Sequence, residues 1–161
     1  MADTVRQTLM RHIVTTLAAS SDLCGVVDCR PWDYERPPRP EQGDGEPALP
    51  FTWAYEDQCA VEEWATEFVM DRLPVTVETA FRYSRELIDK SLEREGRRLL
   101  GVVQGLLAAD VTRGGQAMDT AETRNIIAET PTPDIGVVVT EWTITYPRDR
   151  LDPTRVVSAN S

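Results

Sequence analysis

Residues 135–146 read IGVVVTEWTITY, and this stretch decides the fold class. Along an extended chain Val138, Trp142, Ile144 and Tyr146 share one face, while Glu141, Thr143 and Thr145 share the other. A period of two in β-branched and aromatic residues is the pattern of a strand with one face on a core. Such a face needs a covering layer, and the rest of the chain supplies it.

Upstream of that strand, Leu92, Leu99, Val103, Leu106 and Leu107 recur at helical spacing and predict a helix over roughly 93–109. It is expected to stop near Gly114-Gly115, where a positive φ is cheap. Gly101 and Gly105, one turn apart, predict that this helix lies close against a sheet. At the start of the chain Val5, Leu9, Ile13 and Leu17 repeat every four residues, with Met10 and Val14 widening the stripe. This predicts an amphipathic helix over 3–19, capped by Asp3 or Thr4 and closed by Ser20-Ser21-Asp22.

Between the helices, Gly25-Val26-Val27-Asp28-Cys29 reads as a short strand. Phe51, Trp53 and Tyr55 alternate with Thr52, Ala54 and Glu56 as in a half-buried strand. Trp64, Phe68 and Met70 suggest another extended piece, and Val75, Val77, Phe81 and Tyr83 a further one, with Pro74 at an edge or bulge. Residues 121–129 read as one more strand. Six prolines (Pro31, Pro37, Pro38, Pro40, Pro47 and Pro50) with Gly43-Asp44-Gly45 make 31–50 an extended surface loop. It is either an insertion without fixed structure or an arm that orders on a neighbouring subunit. Pro147 and Pro153 predict that the tail after Tyr146 finds no place in the sheet.

The expected architecture is α+β: a mostly antiparallel sheet with two main helices packed on one face. A length of 161 residues and 41% hydrophobic content suit one domain. That domain is expected over 1–148, including the Pro-rich loop, with a C-terminal arm over 149–161.

Charge and chemistry narrow the function. The 27 acidic residues outnumber 17 basic ones, for a formal net charge of −10, which opposes direct binding to a phosphate backbone. Lys90 is the only lysine, a bias toward arginine that a GC-rich genome explains. Cys24, Cys29 and Cys59 form no CxxC and no even set, which points to a reducing compartment; the first two read as small buried hydrophobes. Arg6, Arg11 and His12 interrupt the N-terminus and no apolar run nears membrane length, so neither export by an apolar leader nor membrane insertion is expected. His12, the only histidine, sits inside a predicted helix and reads as structural. No nucleophile, phosphate-loop or zinc motif occurs, so neither catalysis nor a cofactor or metal is expected. Residues 41–71 carry nine acids (Glu41, Asp44, Glu46, Glu56, Asp57, Glu62, Glu63, Glu67 and Asp71) and no basic residue. This is ordinary solubility, or a surface that repels DNA or docks a basic partner.

Four segments resemble the tail terminator (tail completion) proteins of long-tailed bacteriophages. They are the opening helix Thr4–Leu17 with the later Pro50-Phe51-Thr52-Trp53-Ala54-Tyr55, the strand Arg72-Leu73-Pro74-Val75-Thr76-Val77-Glu78, the stretch Leu106–Ala117, and the closing strand Thr140–Arg148. Within the third, Asp110-Val111-Thr112-Arg113-Gly114-Gly115 is the most specific part. The resemblance implies a virion protein assembled in the host cytoplasm as a ring, usually of six copies. Such a ring binds the last ring of tail tube protein, stops polymerisation and receives the head's connector, while DNA passes its lumen without being gripped.

On that reading the candidate intersubunit or tube interface is Pro37, Pro38, Arg113, Arg148, Arg150, Leu151 and Arg155. The candidate acidic lumen or docking surface is Glu56, Asp57, Glu62, Glu63 and Glu67. Two alternatives stay open: another neck or head-completion protein, and a small cytosolic enzyme or ligand-binding domain with a pocket lined by Trp53, Trp64, Phe68 and Tyr83.

Overall fold

In the computed structural model, which describes residues 3–23, 25–28, 49–57, 60–63, 68–155 and 157, helix α1 spans Val5–Ala18. Thr4 caps it: its hydroxyl accepts from Gln7 N at 3.2 Å, and the Gln7 side chain accepts from Thr4 N at 2.8 Å. This reciprocal capping box satisfies two of the donors that a helix start leaves unpaired. Val5, Leu9, Met10, Ile13 and Leu17 are buried, the stripe expected from the spacing. Helix α2 spans Leu92–Ala108, with Ser91 as its cap and Gly96, Leu99, Val103 and Leu107 buried. No helix among the described residues is long and apolar enough to cross a membrane.

Among the described residues, six strands form one sheet: β1 (Gly25–Val27), β2 (Phe51–Glu56), β3 (Ala60–Glu63), β4 (Phe68–Arg82), β5 (Asp119–Glu129) and β6 (Ile135–Asp149). The order across it is β1-β2-β4-β6-β5, with β3 also paired to β4. Among these strands only β1 and β2 run parallel; the other pairings described are antiparallel. The fold is therefore α+β; the two extended pieces expected at 64–70 and 75–83 are one strand, β4, and β3 was not expected.

The prolines behave differently from expectation, and the register explains why. Pro74 sits in the middle of a continuous 15-residue strand rather than interrupting it. Its carbonyl accepts from Asp57 N at 2.9 Å, so its own nitrogen points the same way, toward the gap where β2 has ended and β3 has yet to begin. No strand there needs the missing N–H. Pro147 repeats the arrangement. Thr145 O accepts from Met118 N at 2.8 Å, so Pro147, two residues on, faces the same side, just past the point where β5 begins pairing. Strand β6 thus continues through Pro147 and Arg148 to Asp149, opposite Met70, Val69 and Phe68. The expectation that the chain leaves the sheet after Tyr146 is corrected by three residues.

Both helices cover the same face. Leu9, Ile13 and Leu17 of α1 and Leu99, Val103 and Leu107 of α2 meet Leu73, Val75, Val77, Val138, Trp142, Ile144 and Tyr146 in one cluster. Strand β2 is buried on both faces along most of its length, not half-buried. Ala54 joins the helix-side core, while Phe51 and Trp53 pack with Ala80 and Ile135 on the opposite face. The close helix–sheet approach also lies elsewhere than predicted. Gly101 and Gly105 face open space, whereas a Cβ on Gly96 would meet Ile127 Cγ2 of β5 at 2.5 Å. Gly96 occupies the buried stripe (99, 103, 107) one turn earlier; Gly101 and Gly105 do not.

Candidate interaction surfaces

The segment that carries the most specific resemblance, Asp110–Gly115, closes α2 and leads into β5. Asp110 organises it: one carboxylate oxygen accepts from Thr112 N at 3.0 Å and Thr112 Oγ1 at 2.5 Å, and the other from Gly114 N at 2.8 Å. Arg113, Gly114 and Gly115 all take positive φ (49°, 74° and 87°), which turns the chain back on itself. Arg113 was expected to offer its guanidinium to a partner. Instead it is 1% exposed and its Nη2 donates to the carbonyls of Leu107 and Asp110, satisfying acceptors that the helix end leaves open. Burial lowers its pKa, with Asp110 opposing. His12 of α1 stands beside this turn, 3.9 Å from Asp110 Oδ2. Burial and the Arg113 charge lower its pKa more than Asp110 raises it, which favours the neutral imidazole.

The three hydrogen bonds, led by the one from Thr112, hold the Asp110 carboxyl down to about 2. Asp110→Ala is expected to cost about 1 kcal/mol near neutral pH, allowing for solvent competition at so exposed a carboxylate. Because the folded pKa is depressed, this contribution is present above the ordinary carboxylate value and disappears as pH falls through about 2. Urea midpoints of the two proteins should therefore converge between pH 4 and pH 2; a constant gap would mean the carboxylate charge is not what matters.

The C-terminal candidates divide into two groups. Arg148 belongs to the fold: its Nε donates to Asp71 Oδ2 at 2.7 Å, and Asp71 is 4% exposed. Beyond it the chain folds back as a strap. Asp149 Oδ1 accepts from Leu151 N and Asp152 N at 2.9 and 3.1 Å, and Arg155 Nη1 reaches Asp149 Oδ2 at 3.3 Å. Pro153 O accepts from Val5 N at 2.9 Å, so the strap supplies an acceptor for a first-turn donor of α1. Arg150, Leu151 and Arg155 are exposed there, Leu151 at 90%.

The acidic candidates cluster only in part. Glu56 pairs with Arg6 Nε at 2.6 Å, and Asp57 O accepts from Arg6 Nη2 at 3.2 Å, which sets both residues beside the start of α1. Asp28 is near enough that Glu56 adds to burial in raising its carboxyl pKa. Glu62 and Glu63 lie on β3, opposite Met70 and Val69. Glu67, Pro37, Pro38, the three cysteines and Trp64 lie outside the described residues. The described aromatics of the alternative pocket do not converge. Trp53 packs on the face away from the helices, Tyr83 joins the helix-side core, and Phe68 starts β4 at the end farthest from Tyr83. Among the described residues no group of three potential metal ligands forms.

Two surface features carried no periodic or motif signal. Leu87 and Ile88, in the β4–α2 loop, are 53% and 76% exposed. A groove of about 340 Å³ runs between α1 and the ends of β1 and β2, lined by Gln7, Met10, Arg11, Val14, Asp28 and Glu56. An adjacent apolar pair in a loop is the only trace of the first in the sequence; the second has none, because its walls are distant in the chain.

No family model matches the chain, and no curated protein matches it. Among solved structures, a chain from the virion of a native gene transfer agent particle is similar at a TM-score of 0.42 and 11% identity, over 90% of this chain and 92% of that one.

Proposed function

We propose that this chain is a structural protein of a phage-type virion, forming a ring that caps the tail tube, stops its polymerisation and presents a surface to the head connector. The observation that carries the reading is where the four resembling stretches lie. They build α1 with β2, the centre of β4, the α2–β5 turn and β6, which together form the helix-covered sheet. The specific side chains among them serve architecture: Asp110 and Arg113 shape the turn, and Arg148 holds Asp71. A capping role asks for rigid frames with exposed edges and apolar projections. The long edge strand β5, the strap with Leu151 and the loop with Leu87 and Ile88 offer these.

The test is tail assembly with and without the protein. With it, tails of uniform length that join heads are expected, with six copies at the tail end by imaging or native mass spectrometry. Without it, tails should be overlong and headless. Tails of normal length that join heads in its absence, or a single copy per particle, would end this reading.

A further inference from the structure

The end of β6 separates a part of the chain that the fold locks from a part that it does not. Arg148 holds the buried Asp71 at 2.7 Å, and Asp149, opposite Phe68, is the last rung of the β4–β6 ladder. None of the residues 150–155 that follow is buried, and Leu151 is 90% exposed. A segment that buries so little apolar surface opens at a far lower free energy than the sheet it leaves.

The segment nevertheless has a fixed shape. Asp149 Oδ1 accepts from Leu151 N and Asp152 N, and Asp149 Oδ2 meets Arg155 Nη1. Asp152 O accepts from Arg155 N at 3.2 Å, and Asp152 Oδ1 from Thr154 N at 3.0 Å. These bonds all run within residues 149–155, so the strap keeps its form when it moves.

Its far end reaches the start of α1. Pro153 O accepts from Val5 N at 2.9 Å, and Val5 is the first residue of that helix. The N–H of a first helical residue has no partner inside its own helix. Water replaces the Pro153 carbonyl there at small cost, since one hydrogen bond is exchanged for another. The cap itself stays, because Thr4 Oγ1 and Thr4 O hold the amides of Gln7 and Thr8.

We propose that residues 149–155 form a latch on α1: the strap swings away as one piece, pivoting at Asp149, while Arg148 and the sheet before it stay in place. Closed, it joins the end of β6 to the first turn of α1. Open, it carries Leu151 away from the domain without unfolding it. Capture of the open strap by a partner would release the first donor of α1 in the same step. The latch is a property of the single chain and does not rest on the ring reading.

Hydrogen exchange of the full chain, read amide by amide, tests it. In the wild type the Val5 amide should exchange at least about a hundredfold faster than that of Ile144, in the middle of β6, and low urea should leave its rate unmoved, as for a local opening. Asp149→Ala removes the acceptor that shapes the strap and should speed Val5 exchange about tenfold, with Gln7 and Ile144 unchanged. A Val5 amide as slow as that of Ile144 in the wild type, unchanged in Asp149→Ala, or accelerated there by the same factor as Ile144, overturns the latch.

Discussion

Arg148→Leu is expected to destabilise the folded chain by about 3–5 kcal/mol, because it leaves the Asp71 carboxylate buried without its counter-charge. Asp71 is 4% exposed, and its other carboxylate oxygen has no hydrogen-bond partner among the described residues, so the guanidinium at 2.7 Å is its main support. The converse is equally specific. Asp71→Leu combined with Arg148→Leu should recover most of the loss, since an apolar pair needs no desolvation to be repaid. Urea unfolding of the wild type, the single variant and the double variant decides it. A single variant within about 1 kcal/mol of wild type would mean that water reaches Asp71 as it reaches an ordinary surface pair. The same contact bears on truncation: ending the chain after Tyr146 removes Arg148 and should unfold the domain, whereas ending it after Asp149 keeps the pair.

Trp142→Ala is expected to cost about 3–5 kcal/mol by emptying the middle of the core. Trp142 is 5% exposed, lies opposite Val75 in β4, and shares a cluster with Leu99 and Val103 of α2. Its indole Nε1 also donates to Thr140 Oγ1 at 2.8 Å, so the ring serves a buried hydroxyl as well as filling volume. Trp142→Phe separates the two roles. It keeps most of the apolar area and loses the hydrogen bond, and should cost about 1–3 kcal/mol. Equal losses in the two variants would show that the hydrogen bond, not the volume, dominates.

Element types were readable because they depend on local spacing. A four-residue apolar repeat from Val5 to Leu17 makes a helix stripe whatever it packs on, and alternation from Val138 to Tyr146 makes a strand face. Thr4 as cap and Gly114-Gly115 as the turn are likewise local chemistry. Of the candidate interface, Leu151 and Arg155 are exposed, while Arg113 and Arg148 are absorbed into the fold. Arginine in a polar stretch looks the same in a sequence whether it faces solvent or an acid 77 residues away.

The sequence by itself therefore determined the two helices, strands β1, β2, β5 and β6, the shared face the helices cover and the turn after α2, since each follows from side-chain spacing within one segment, whereas β3 and the continuity of β4 did not show in it. Only the tertiary structure decided how the prolines were used. Whether a missing N–H interrupts a strand depends on which neighbour it faces, and Pro74 and Pro147 both face places where the adjoining strand has stopped. It alone decided that Asp71 and Arg148 form a buried pair and that Gly96 rather than Gly101 meets the sheet. These relations join residues far apart in the chain, and they exist only once pairing register and helix packing have set the distances between them.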